Sequence, residues 1–216
     1  LFVRTVAVLP IKSFSRAKSR LGAGFDRAEL SAAMTGDVLS ALAATPALDT
    51  VIVVTAEALA DDAGAVVIPD PDEAGQSAAA QRGIEAALER GAERVLLVPG
   101  DCPTLDPSEL GRLLGEQSAP PQVTVVPDRH GSGTNALLLT PPDAVAPSFG
   151  AGSMARHAAR ARAAGATVKL RSVPSLALDV DTLDDLNALR AALEARRELA
   201  PRTRAVLDRL VPAGAA

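Results

Sequence analysis

The feature that most constrains this chain's fold is an alternation. Short β-branched apolar runs recur along it, and the stretches between them carry apolar residues at helical spacing. Thr5–Leu9, Thr50–Thr55, Ala65–Ile68, Arg94–Val98, Gln122–Pro127, Ala136–Thr140 and Thr167–Arg171 read as strands. Arg27–Ala44, Ser77–Arg90, Pro107–Gly115, Ser153–Ala164 and Thr182–Leu193 read as helices. The first of these sets Leu30, Met34, Val38, Leu39 and Leu42 on one face, and Pro46 ends it. Gly91 is placed to close the second, and Asp106 to cap the third with Pro107 in its first turn. Strands alternating with helices predict an α/β fold, one domain over residues 1–216. Its sheet is expected to be mixed but mainly parallel, with helices on both faces. The tail over about 196–212 is basic and amphipathic and is expected to be helical.

Composition narrows the class. Tyr and Trp are absent and only 4 Phe occur in 216 residues, so the core must be built from Val, Leu, Ile and Ala. A formal charge of -4 and a pI near 5.3 argue against a nucleic-acid partner. No apolar run approaches the roughly 20 residues that span a bilayer. Leu1–Pro10 is apolar but carries neither a basic region before it nor a cleavage site after it, so no signal peptide is read. Cys102 is the single cysteine, which rules out an internal disulfide and suits a reducing cytoplasm. It is expected to serve packing.

In such sheets ligands sit at the carboxyl ends of strands. The first strand runs into Pro10-Ile11-Lys12-Ser13-Phe14-Ser15-Arg16-Ala17-Lys18-Ser19-Arg20-Leu21, a cationic cluster in an acidic chain. It suits a polyphosphate, whose leaving pyrophosphate its cations would offset, or it is a solvated charge run. It lacks the spacing of a P-loop. Asp101 ends the fourth strand, and Asp179 and Asp181 follow a later apolar run. Two residues apart, that pair points to one side of an extended backbone. Three aspartates at one sheet edge would make an all-oxygen site for Mg²⁺, although Asp181 or Thr182 also suits an N-cap. Gly131-Ser132-Gly133-Thr134-Asn135 is a turn that lets a ligand approach, or an ordinary hairpin. Phe149-Gly150-Ala151-Gly152-Ser153 leads into a helix that Ser153 can cap, where free N–H groups would form an anion site. Neither His130 nor His157 is arranged with a Ser or Cys nucleophile, and no nucleophile elbow is present. The chemistry indicated is one of positioned charges.

These segments resemble, in order and over nearly the whole chain, the 2-phospho-L-lactate/phosphoenolpyruvate guanylyltransferases of deazaflavin coenzyme F-420 biosynthesis, a branch of the GT-A-like nucleotidyltransferases. The resemblance rests on Val8-Leu9-Pro10-Ile11-Lys12, Ala17-Lys18-Ser19-Arg20-Leu21, Gly100-Asp101-Cys102-Pro103, Asp128-Arg129 with Gly131-Ser132-Gly133-Thr134-Asn135, Phe149-Gly150 with Ser153, and Leu178-Asp179-Val180-Asp181-Thr182. It implies transfer of GMP from GTP to phosphoenolpyruvate or 2-phospho-L-lactate. It further implies Lys12, Lys18 and Asp101 in catalysis, and Asp101, Asp179 and Asp181 holding two Mg²⁺. Thr134, Gly150 and Ser153 are expected on the acceptor, and Pro10, Lys12, Arg20, Gln76, Ser77 and Gly100 around the nucleotide. Gln76-Ser77 stand where the family commonly shows Leu-Asn.

Two other readings stay open from sequence. One is a molybdenum-cofactor guanylyltransferase or a cytidylyltransferase of the same fold, although these typically carry a glycine-rich first loop where this chain has lysines. The other is a non-catalytic nucleotide-binding protein docking through its basic tail. Small molecules are the expected partners, with no nucleic acid and no membrane. A homodimer, and hand-off of the product to the next enzyme of the pathway, are compatible with the family.

Overall fold

Thr5–Ile11 (β1) is buried along its whole length, and its side chains divide between two cores. Val6 and Val8 enter one, while Ala7, Leu9 and Ile11 enter the other. A strand buried on both sides needs a cover on each. The computed structural model, which describes residues 3–14, 26–59, 61–117 and 119–210, shows both covers. Arg27–Ala43 (α1) and Pro107–Gly115 (α3) lie on the Leu9 side. Gln76–Glu89 (α2) and Ser153–Ala163 (α4) lie on the Val8 side.

The remaining strands are Thr50–Thr55 (β2), Val66–Pro69 (β3), Arg94–Leu97 (β4), Gln122–Pro127 (β5), Thr134–Thr140 (β6) and Thr167–Leu170 (β7). They form one seven-stranded sheet in the order β3-β2-β1-β4-β6-β5-β7. Every pairing is parallel except the two made by β6. The expected mixed but mainly parallel sheet is therefore present, and its one reversed strand, β6, is the return arm of the hairpin that Gly131–Asn135 allowed.

Register explains where a cleft opens. Val8 pairs with Leu97, and Leu97 pairs with Leu137. The residues just beyond β1 and β4 thus reach the same edge as the start of β6. Pro10 sits inside β1, paired to Val54 of β2. The carbonyl of Val8 accepts from Val98 N–H, so Val8 faces β4. Pro10, two residues on, faces the same way beyond the last β4 pair, so its missing N–H removes no ladder bond. Past that point β1 and β4 are unpaired, and the sheet parts.

Several local signals are borne out. Asp106 caps α3 with Pro107 in its first turn, and Gly91 follows α2 at φ 74°. Cys102 is fully buried, with Sγ 3.7 Å from the carbonyl of Leu176. The tail differs from expectation. Leu183–Ala195 (α5) ends before the basic stretch, and the tail helix starts at Pro201, giving Pro201–Leu210 (α6); residues 211–216 lie outside the described residues. The break falls where a proline can open a helix but not continue one.

A third core joins α1, α5 and α6 through Leu30, Met34, Leu189, Leu193 and Leu207. The buried carboxylate of Asp37, on α1, accepts from the backbone N–H groups of Arg202 and Thr203 at 3.1 and 2.8 Å. It thereby satisfies the orphan donors at the start of α6 from another helix.

Candidate active site

At the parted edge lies a cavity of about 670 Å³. Of the residues singled out from sequence, Pro10, Lys12, Gln76, Gly100, Asp101, Thr134, Gly150, Ser153, Asp179 and Asp181 all line it. Lys18 and Arg20 lie outside the described residues. Ser77 is the exception: its hydroxyl accepts from the N–H of Phe149 at 2.9 Å, and it ties α2 to the loop before α4 without lining the cavity.

The aspartates meet through backbone bonds. Val180 N–H donates to the carbonyl of Asp101 at 3.1 Å, and Val180 is fully buried. Its neighbours Asp179 and Asp181 are therefore turned to the cavity beside Asp101. Asn135 fastens the arrangement by donating from Nδ2 to the carbonyl of Leu176 at 2.7 Å and to Asp179 Oδ1 at 3.1 Å. Arg129 fastens it from the other side. Its N–H donates to the carbonyl of Ala177 at 2.9 Å, and its guanidinium pairs with Asp185 at 2.5 Å. The cap of α5 is Thr182, in a reciprocal capping box with Asp185, so Asp181 is not the cap.

Burial, then the charge of Asp101, hold the Asp179 carboxyl above its ordinary pKa, with a smaller contribution from Asp181. Asp128 brings a further carboxylate to the wall. Among the described residues Lys12 is the one Lys or Arg that lines the cavity. So acidic a wall repels a phosphate unless divalent cations lie between them. Among the described residues no three His, Cys, Asp or Glu side chains form a ready-made metal cluster. An open carboxylate set of this kind fits Mg²⁺, which keeps waters and takes substrate phosphate oxygens as ligands.

Another part of the cavity wall is built from Thr134, at the start of β6, and the loop before α4. Ser153 is not the cap of α4. Gly152 takes that place in the left-handed region at φ 69°, and Ser153 is the first helical residue. The Ser153 and Met154 amides already donate to the carbonyls of Gly150 and Ser132 at 3.0 and 3.2 Å. The helix start therefore offers fewer N–H groups than the sequence suggested. Its loop is held rigidly instead: the Arg156 guanidinium donates to the carbonyls of Ser148, Phe149 and Ala151. Gly150, at φ 104°, adopts a backbone that side chains rarely allow.

Sequence reasoning left out Ser31, Met34 and Thr35, which α1 brings to the cavity floor, and it left Asn135 without a role. His157, set aside earlier, is fully buried beneath Thr134. For Ser31, Thr35, Asn135 and His157 the available signal was a polar residue on an apolar strand or helix face, whereas Met34 gave none beyond its place in the core.

The chain is also similar to known proteins along most of its length. The family model described as "Guanylyl transferase CofC like" matches residues 5–193. A phosphoenolpyruvate guanylyltransferase from Conexibacter woesei is 48% identical over 215 residues, covering 96% of each chain. One from Sphaerobacter thermophilus is 40% identical over 194 residues, covering 86% of this chain and 92% of its own. Among solved structures, one assigned to a nucleotide-diphospho-sugar transferase from Desulfovibrio desulfuricans superposes with a TM-score of 0.74 at 19% identity, covering 96% of each chain, which is a likeness of fold. With a family match that spans nearly every element lining the cavity, the chain belongs to the CofC-like guanylyl transferases.

Proposed function

We propose that this protein transfers GMP from GTP to phosphoenolpyruvate and releases pyrophosphate, as a step of coenzyme F-420 biosynthesis. The observation that carries the reading is one cavity shared by a lysine beyond β1, an aspartate beyond β4, two aspartates of the loop before α5, and the Thr134–Gly150–Ser153 wall. Its volume suits a nucleotide together with a small acid. Relatives bearing the same name align over almost the full chain.

An oxygen of the acceptor phosphate attacks the α-phosphorus of GTP. A new P–O bond forms, the bond to the β-phosphate oxygen breaks, and pyrophosphate leaves with the electron pair. The attacking group is already anionic, so no general base is needed, and the protein's work is alignment and charge placement. Asp101, Asp179 and Asp181 would hold Mg²⁺, two ions in this reading, which supplies charge neutralisation on the phosphates. Lys12 contacts phosphate at the end of β1, joined in this reading by Lys18 and Arg20. Pro10, Gln76 and Gly100 flank the nucleotide. Thr134, Gly150 and Ser153 hold the acceptor. No helix among the described residues is long and apolar enough to cross a membrane. The reaction in this reading is one of small molecules in the cytoplasm.

The test is pyrophosphate release with Mg²⁺ and each of GTP, CTP and ATP, against phosphoenolpyruvate, 2-phospho-L-lactate and 3-phosphoglycerate. GTP with phosphoenolpyruvate is expected to be fastest. No release from any combination would sink the proposal, and preference for 2-phospho-L-lactate would overturn the choice of acceptor.

A further inference from the structure

His157 has no part in the reaction just described, yet it joins the two segments that carry the acceptor wall. Its Nε2 lies 2.8 Å from the backbone N–H of Ser148, and its Nδ1 lies 3.0 Å from Thr134 Oγ1. A backbone amide can only donate, so Nε2 is the acceptor and carries no proton. In a neutral ring the single proton is then on Nδ1. That N–H donates to Thr134 Oγ1, and a hydroxyl that accepts from the ring keeps its own proton for another partner. Thr134 lines the cavity.

We infer that His157 is a positioning residue that fixes Thr134 as a hydrogen-bond donor toward an anionic oxygen, carboxylate or phosphate, of the acceptor. The inference rests on the cavity wall being the acceptor site. Burial, reinforced by the nearby Arg156 and Arg160, keeps the ring neutral down to about pH 4, so the tautomer argument holds under ordinary assay conditions. The edge of the ring also meets Phe149, with centroids 5.2 Å apart at 73°. That contact alone would make His157 a packing residue, and the test has to separate the two roles.

Two amide variants do so. His157→Asn carries its amide near Nδ1 and keeps a donor for Thr134 while giving up Ser148. His157→Gln carries its amide near Nε2 and keeps the partner of Ser148 while giving up Thr134. His157→Gln and Thr134→Val are each expected to raise the KM for phosphoenolpyruvate about tenfold, the size of one hydrogen bond to a charged group, with the KM for GTP unchanged. His157→Asn is expected to stay within about threefold of the parent, and His157→Gln combined with Thr134→Val to be no worse than Thr134→Val alone. Equal losses in the two amide variants, or multiplying losses in the double variant, would overturn the inference.

A measurement on the unaltered protein covers the case in which a variant fails to fold. Long-range ¹⁵N–¹H correlation of the imidazole is expected to show the proton on Nδ1. A proton on Nε2 overturns the positioning role without touching the proposed reaction. Absence of turnover with every acid sinks the proposed reaction instead.

Discussion

Acid should weaken this protein through His157 by an amount that the structure sets. A histidine free in an unfolded chain titrates near 6.5, whereas burial, Arg156 and Arg160 hold the folded group at about 4. Between those values the unfolded chain binds a proton that the folded one refuses. Stability therefore rises with pH across the window. The contribution is complete above about pH 6.5 and is lost as pH falls toward 4. At about 1.36 kcal/mol per pH unit the gap amounts to ~3 kcal/mol, a large share of the 5–15 kcal/mol typical of a domain. The assay is urea unfolding at a series of pH values between about 4 and 7.5, on the parent and on His157→Asn. Carboxylates that titrate near pH 4 are common to both and cancel in the difference. The parent's stability relative to the variant should fall by ~3 kcal/mol over that range. A difference that stays constant with pH would refute the reasoning, because the ring would then be free to charge in place.

Two further outcomes are expected. Asp37→Ala strips the start of α6 of both hydrogen bonds that Asp37 accepts and leaves the buried amide of Thr203 and the part-buried amide of Arg202 without them. It should cost about 2–4 kcal/mol by urea unfolding, and a loss under ~0.5 kcal/mol would show that α6 does not depend on this contact. Asp179→Asn removes the carboxylate that burial and Asp101 disfavour as a charge, so it should raise stability in EDTA at neutral pH while cutting turnover about 100-fold or more. A less stable, fully active variant would remove Asp179 from the site.

Much of the fold was legible because its signals are local. The β-branched runs and helical periodicity located nearly every element, and Asp106, Pro107 and Gly91 act where their backbone chemistry places them. Asp101 was legible because strand ends in parallel sheets converge, whereas Asp179 and Asp181 follow no strand and reach it through the bond from Val180 N–H to the Asp101 carbonyl. What escaped was decided by contacts between distant segments. The hairpin turn before Thr134 announces that β6 reverses against β5, but nothing near it announces that β6 then pairs with β4, and nothing near Met154 announces that its amide is spent on Ser132. Ser77 looked like a nucleotide contact, but its hydroxyl holds Phe149, 72 positions away. Asn135 gained its role only when the fold brought Asp179 within 3.1 Å.

The reversed strand has an evolutionary consequence. Because β6 runs against its neighbours, its first residues, not its last, meet the ends of β1 and β4. The wall carrying Thr134 therefore belongs to a hairpin and to the loop before α4, while Lys12 and Asp101 belong to the parallel half of the sheet. The two halves of the cavity are inherited from separable stretches of chain. In the proposed reaction, changes in the hairpin or that loop can redraw the shape offered to the acid while β1, β4 and their trailing residues keep their register. A scaffold divided in this way can exchange one substrate and conserve the chemistry performed on the other.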